Sequence, residues 1–108
     1  MKPDEPEGAT MSTLRVELEV RDYETWRNAF AQDAGGRQRN GARRYRIFRP
    51  VDDTERVMVD LDFDTAAEAS SFLAIMQRDV WPSPDKAPAK IGAPRTHILD
   101  MVESEEYR

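Results

Sequence analysis

Residues 14–30, LRVELEVRDYETWRNAF, combine two different periodicities in one short stretch. From Leu14 to Val20 apolar residues alternate with charged ones, which is typical of a β-strand with one buried and one polar face. Asp22 then stands where the N-cap of a helix is expected. The aromatic residues that follow recur at the helical spacings of three and four: Tyr23, Trp26 and Phe30. The stretch therefore predicts a strand that leads directly into an amphipathic helix.

The rest of the chain repeats this alternation of strands and helices. Three further strands are predicted, over residues 42–49, 56–63 and 96–102. A turn at residues 52–54 joins the first two of these as a hairpin. A second helix is predicted from a capping box at Thr65 and Glu68 to the residue before Pro82. The segment 81–94 contains four prolines and is interpreted as an irregular connection.

The order strand, helix, strand, strand, helix, strand predicts an α+β fold, the ferredoxin-like βαββαβ domain with a four-stranded antiparallel sheet. Right-handed crossovers place the first and third strands at the centre of that sheet. We expect residues 13–103 to form this single domain, residues 1–12 to be a disordered lead and residues 104–108 to be a frayed acidic tail. Two helices cover one face of such a sheet, so its other face stays open.

The composition excludes several classes of site. The chain has 108 residues, a net charge of −5, one His and no Cys. It therefore has no disulfide, no thiolate-ligated metal and no multi-His metal site. No apolar run approaches the roughly 20 residues that span a bilayer, and the N-terminus lacks the features of a signal peptide. We expect a cytoplasmic protein with no membrane partner.

The open face of the predicted sheet is charged. The residues in its polar phase are Arg15, Glu17, Glu19, Arg44, Arg46, Phe48, Met58, Asp60 and Asp62. The hairpin register that aligns Ile47 with Val59 also sets each arginine of the second strand against an aspartate of the third. The expected pairs are Arg46 with Asp60 and Arg44 with Asp62. Opposite charges placed across strands contribute roughly 0.2 to 1 kcal/mol each.

Three interpretations of this charged face stay open. It is a solvated surface with ion pairs between strands, or a network buried by contact with a second copy, or a polar ligand cavity. In the last case Arg44 and Arg46 bind an anionic or carbonyl-bearing ligand, and Glu17 or Asp60 accepts a proton. Burial decides among the three, because charges shielded from water become specific while exposed ones contribute little.

Trp81 and His97 complete the candidate ligand-binding residues, and no catalytic residue is assigned. Trp81 lies where the second helix meets the Pro-rich segment, a place suited to a core plug or to the wall of a pocket. His97 is the only imidazole and is predicted on the last strand, where it is either a packed or edge residue or a catalytic group.

Six arginines fall between Arg37 and Arg49, which raises the question of nucleic-acid binding. RNA-recognition domains of this topology need exposed aromatic residues on their first and third strands. This chain has acidic residues there, such as Glu17 and Asp60, which repel phosphate. No nucleic-acid partner is predicted.

Several stretches carry a resemblance to a known family. They are residues 14–30, Arg37 with Gly41 before the second strand, residues 67–76 (AEASSFLAIM) and residues 80–100 (VWPSPDKAPAKIGAPRTHILD). In these stretches the sequence resembles the dimeric α+β barrel superfamily, which includes the antibiotic biosynthesis monooxygenases and cyclase-like bacterial proteins. The resemblance implies a homodimer whose two sheets pack face to face into a barrel, with the helices outside.

The resemblance also implies a function. It favours a small organic ligand in a polar cavity on the sheet face, with a cofactor-free monooxygenase or cyclase-like activity; a non-catalytic structural or interaction module is the alternative. The monooxygenases use Asn, Trp and His in their cavity, whereas here Asn28 lies on the first helix and Asn40 in a turn. Haem-degrading relatives need an axial ligand on a helix, and His97 is predicted on a strand. No cofactor is expected.

Overall fold

A four-stranded antiparallel sheet in the order β2-β3-β1-β4 forms the base of this computed structural model, which describes residues 11–108. The elements are β1 (Ser12–Val20), α1 (Tyr23–Ala31), β2 (Arg44–Phe48), β3 (Arg56–Phe63), α2 (Ala66–Ile75) and β4 (Lys90–Asp100). The α+β, ferredoxin-like fold predicted from the sequence is confirmed, with β1 and β3 at the centre. Residues 1–10 of the predicted lead lie outside the described residues, and β1 begins at Ser12, whose side chain is buried.

The apolar phase of the two central strands faces the helices and forms the core. Its fully buried members include Leu14 and Val20 of β1 and Val57 and Phe63 of β3. The helices contribute Trp26, Ala69 and Phe72 to the same cluster. The predicted alternation therefore corresponds to the buried face of the sheet. None of the helices in residues 11–108 is both long and apolar enough to cross a membrane.

Side chains cap both helices at the predicted positions. The Asp22 carboxylate accepts a hydrogen bond from the Thr25 backbone N–H at 3.0 Å. The Thr65 hydroxyl accepts one from the Glu68 backbone N–H at 3.1 Å, which is one half of the predicted capping box. Each cap satisfies a helix N–H that would otherwise lack a partner, at a typical gain of about 1 kcal/mol.

The helix that begins with α2 ends in an unusual turn. Residues Met76–Val80 are π-helical, and the Trp81 backbone N–H donates to the Met76 carbonyl at 2.8 Å. The helical segment stops before Pro82, as the sequence predicted. A π-helical turn is wider than an α-helical one and is often found at functional sites.

The prediction for β4 was wrong at both ends. The strand covers Lys90–Asp100 and not residues 96–102, so it takes in part of the Pro-rich segment. Pro94 is tolerated because β4 is an edge strand, where a missing backbone donor leaves no neighbouring strand unpaired. Gly92 has a φ of +71°, and the pairing of β4 with β1 shifts between Glu17 and Glu19. A glycine with positive φ beside a register shift is typical of a β-bulge.

Candidate functional site

The open face of the sheet is a grid of side chains aligned across all four strands. Its central row, in sheet order, is Arg46, Asp60, Arg15 and His97. One neighbouring row is Arg44, Asp62, Thr13 and Leu99. The other is Phe48, Met58, Glu17 and Arg95. The predicted pairing of β2 with β3 is confirmed, because Ile47 lies opposite Val59.

Two aspartates on this face are buried, with Asp60 only 3% and Asp62 only 4% exposed. The Arg15 guanidinium donates two hydrogen bonds of 2.9 Å to the two oxygens of Asp60. Asp62 accepts from Arg44 at 2.7 Å and from Arg46 at 3.1 Å. Charged donors therefore cover both carboxylates and satisfy them within one chain.

Thr13 completes the surroundings of Asp62. Its hydroxyl donates to the second oxygen of the Asp62 carboxylate at 2.7 Å. Burial raises the pKa of Asp62, but the hydrogen bonds from Thr13, Arg46 and Arg44 outweigh it and hold that pKa below its ordinary value. Asp62 is therefore a fixed negative charge at neutral pH.

Five of the six residues predicted to bind a ligand lie on this one face. Arg44, Arg46 and Asp60 belong to the ion-pair network, and His97 stands at the exposed end of the central row. Glu17 is half-buried in the adjoining row, opposite Arg95, and makes no ion pair or hydrogen bond with any residue in 11–108.

The sequence did not single out Arg15 as a binding residue, although it makes the closest ion pair to Asp60. The alternation placed Arg15 on the open face, but its partner depends on the register between β1 and β3, two strands separated by 35 residues of chain. No turn links these strands, so no local signal fixes that register. In residues 11–108, no group of three or more acidic or His side chains is arranged to hold a metal ion.

Trp81, the sixth predicted residue, lies on the opposite side of the sheet. There a cavity of about 80 Å³, partly open to solvent, lies between the helices and the sheet. Its aromatic and thioether lining residues are Trp26, Phe30, Phe72, Met76 and Trp81. Leu14, Val16, Val59 and Leu61 form its floor on the sheet. It is concave and mostly apolar, as small-molecule sites usually are, but smaller than the roughly 300 to 1,000 Å³ typical of them.

Two local features shape the wall of this cavity. The π-helical turn contributes Met76 and Val80, one at each end. Gly35 lies so close to α2 that a Cβ there would stand 2.7 Å from the Met76 sulfur. The absence of a side chain at Gly35 therefore leaves Met76 its place in the wall.

Arg37 stiffens the other side of the cavity. Its guanidinium lies 3.8 Å from the centre of the Phe30 ring and 5.1 Å from that of Tyr45, and it donates to the Phe30 carbonyl at 2.9 Å. It also pairs with Asp33 at 3.5 Å. These contacts fix the Phe30 ring in position.

No family model and no curated protein matches this sequence. Solved structures match the fold closely. A dimeric ferredoxin-like protein from an uncultured marine organism is 11% identical over 94% of this chain and 95% of its own, with a TM-score of 0.65. SnoaB, a cofactor-independent oxygenase from Streptomyces nogalater, is 16% identical over 91% of this chain and 97% of its own, with a TM-score of 0.62.

A third match is a Nitrosomonas europaea protein assigned to the antibiotic biosynthesis monooxygenases. It is 18% identical over 85% of this chain and 90% of its own, with a TM-score of 0.63. At this level of identity the matches confirm the predicted fold, which the chain shares with antibiotic biosynthesis monooxygenase-like and dimeric ferredoxin-like proteins.

Proposed function

We propose that this protein binds a small organic molecule whose apolar part occupies the cavity between its helices and its sheet. The observation that carries the proposal is the lining, in which two tryptophans, two phenylalanines and a methionine surround a space that opens to solvent. An engineered apolar cavity of about 150 Å³ binds benzene. The cavity here has about half that volume but is partly open to solvent, so a single ring or a short branched chain can enter it with its other end at the opening.

The chemistry of the lining favours binding over oxygenation. Structurally similar proteins include a cofactor-independent oxygenase, but likeness at this level of identity supports the fold alone. The carboxylate that lines this cavity is that of Asp33, which accepts from the Arg37 backbone N–H at 2.8 Å and pairs with the Arg37 guanidinium. This carboxylate is therefore already engaged by Arg37, and those of residues 11–108 that line the cavity include no other acidic side chain.

The open face of the sheet is the surface through which we propose that two copies pair. Structurally similar proteins are described as dimeric ferredoxin-like proteins. Partly exposed apolar residues frame the ion-pair network on this face: Phe48, Ile91 and Leu99. Because Asp60 and Asp62 already have partners within one chain, a second copy can cover them without leaving a buried carboxylate unpaired.

A second candidate site is a polar space between the two paired sheets, with Glu17, Arg44, Arg46, Asp60 and His97 as ligand contacts. The observation that favours it is the half-buried Glu17 carboxylate, which has no partner in residues 11–108 and is free to accept a bond from a ligand. Arg46 would then bind the ligand and remain part of the ion-pair network.

One titration separates the two sites. Both tryptophans of the chain line the cavity, so their fluorescence reports on its occupation when phenylacetate and the neutral phenylacetamide are added. Ala29→Leu extends a side chain of α1 into the cavity and should abolish binding. Ala31→Leu makes the same change at an exposed position of α1 and should leave binding intact.

The alternative outcomes are distinct. In isothermal titration calorimetry, which detects binding at either site, loss of binding in Arg46→Ala with binding retained in Ala29→Leu would move the site to the sheet face. If neither compound binds to the unaltered protein, the cavity proposal is refuted. Circular dichroism of each variant establishes that it is folded.

A further inference from the structure

We propose that the ligand of the helix-side cavity is an organic anion, a small carboxylate whose apolar body fills the cavity and whose charge is bound by Lys86 and Lys90. This inference rests on the proposed function and specifies its ligand class. It follows from the charges that border an otherwise apolar space.

The charge of the cavity lining is opposite to that of the protein. The chain has a net charge of −5, yet the residues that line the cavity include three cationic side chains and one carboxylate. The cationic residues are Arg37, Lys86 and Lys90. Two of the three lysines in the whole sequence are therefore placed at this one cavity. A local excess of positive charge attracts anions even to an acidic protein.

Arg37 is already occupied, as described above, by Asp33, by the Phe30 carbonyl and by two aromatic rings. It therefore belongs to the wall of the cavity. A ligand carboxylate is expected to bind more strongly to cations whose N–H donors are still available.

The two lysines have such donors. The Lys86 ammonium donates to the Asp79 backbone carbonyl at 3.4 Å, and the Lys90 ammonium donates to the Gly92 carbonyl at 2.8 Å. Neither forms an ion pair with a carboxylate of residues 11–108, and the Asp79 carboxylate is held by Arg78 at 2.8 Å. An ammonium group offers three donors, so each lysine keeps two for a ligand.

The position of the lysines fits an amphipathic ligand. Lys90 is the first residue of β4 and pairs with Val20, so it lies on the helix side of the sheet. Lys86 lies in the connection between the π-helical turn and β4 and is exposed. Flexible side chains of this kind extend their charged ends toward solvent while their stems cover apolar surface. The carboxylate would therefore lie at the open rim and the ring against Trp26 and Trp81.

The test compares three single-ring compounds that differ in charge. The full chain is titrated at pH 7 and low salt with phenylacetate, with neutral phenylacetamide and with cationic phenethylamine, using tryptophan fluorescence. We expect phenylacetate to bind about tenfold more tightly than phenylacetamide, with phenethylamine the weakest. The double variant Lys86→Gln/Lys90→Gln should weaken phenylacetate about tenfold and leave phenylacetamide unchanged.

Arg43→Gln is a control for the loss of positive charge, since it removes a cation from an exposed residue that does not line the cavity. It should leave all three affinities as they are. Equal affinity for phenylacetate and phenylacetamide would overturn this inference and leave the cavity proposal standing. A phenylacetate affinity that the double lysine substitution leaves unchanged would also overturn it. Absence of binding of all three compounds would refute the cavity proposal itself.

Discussion

Arg15 and Asp60 lie directly opposite each other on the two central strands and are joined by two parallel hydrogen bonds of 2.9 Å. The Asp60 side chain is almost entirely buried, while 44% of the Arg15 side chain remains exposed. Bidentate pairing of this kind fixes orientation as well as distance. The pair therefore locks the register of β1 against β3, on the face where the hydrophobic core does not reach.

We expect Arg15→Ala to destabilise the fold by about 1.5 to 3 kcal/mol, because the substitution removes both charged hydrogen bonds and leaves Asp60 with Arg46 at 3.8 Å as its nearest cation. Urea denaturation at pH 7 and fixed protein concentration measures the loss.

The matched control for Arg15→Ala is Arg43→Ala. Arg43 makes the same bidentate contact with Asp64, at 3.0 and 2.6 Å, but both partners are exposed. An exposed ion pair contributes about 0 to 1 kcal/mol. The two arginines make the same hydrogen bonds and differ in the burial of their partner. Equal losses of stability in both variants would therefore contradict the larger contribution expected from the buried carboxylate.

Asp62 should make the free energy of unfolding depend on pH. Its pKa is lowered in the folded protein, so its contribution is fully present above the unfolded pKa of about 3.9 and is lost as the pH falls through the folded pKa. Thr13→Val removes a hydrogen bond that lowers this pKa and should move the loss to higher pH. Carbon NMR of the Asp62 carboxyl, read from pH 7 to pH 2, measures the shift. Ser12→Ala is the control, because that hydroxyl donates to Asp100. An unchanged titration in Thr13→Val would show that this hydroxyl does not stabilise the charge.

The sequence allowed the hairpin to be predicted more accurately than the site. From Val57 to Phe63 one register buries Val57, Val59, Leu61 and Phe63 and leaves Met58 as the only apolar residue on the open face, and β3 has the predicted bounds. Arg46 and Asp60 were therefore placed opposite each other correctly. The β4 strand was misjudged because Gly92 and Pro94 normally interrupt strands, and their tolerance depends on an edge position that only the assembled sheet defines.

The helix-side cavity could not have been predicted from the sequence. Its shape depends on contacts between segments far apart in the chain, such as the close approach of Gly35 to Met76. Trp26, which the sequence placed on the first helix, belongs both to the core and to the cavity wall. Trp81 lies on the opposite side of the sheet from the other predicted residues. The side of the sheet on which it lies depends on the π-helical turn, which has no reliable sequence pattern.

The proposed pairing of two sheets predicts that Phe48→Glu yields monomers. The Phe48 ring is 47% exposed on the open face, and burial of a new carboxylate beside it in a dimer would cost far more than the lost apolar contact. Val51→Glu is the control, since Val51 is fully exposed in the turn between β2 and β3. Analytical ultracentrifugation should find the unaltered protein and Val51→Glu as dimers. A Phe48→Glu variant that sediments as a dimer would exclude this face as the interface.

Because the helix-side cavity lies within one chain, the monomeric variant should still bind phenylacetate, whereas a ligand held between the sheets would be lost with the dimer.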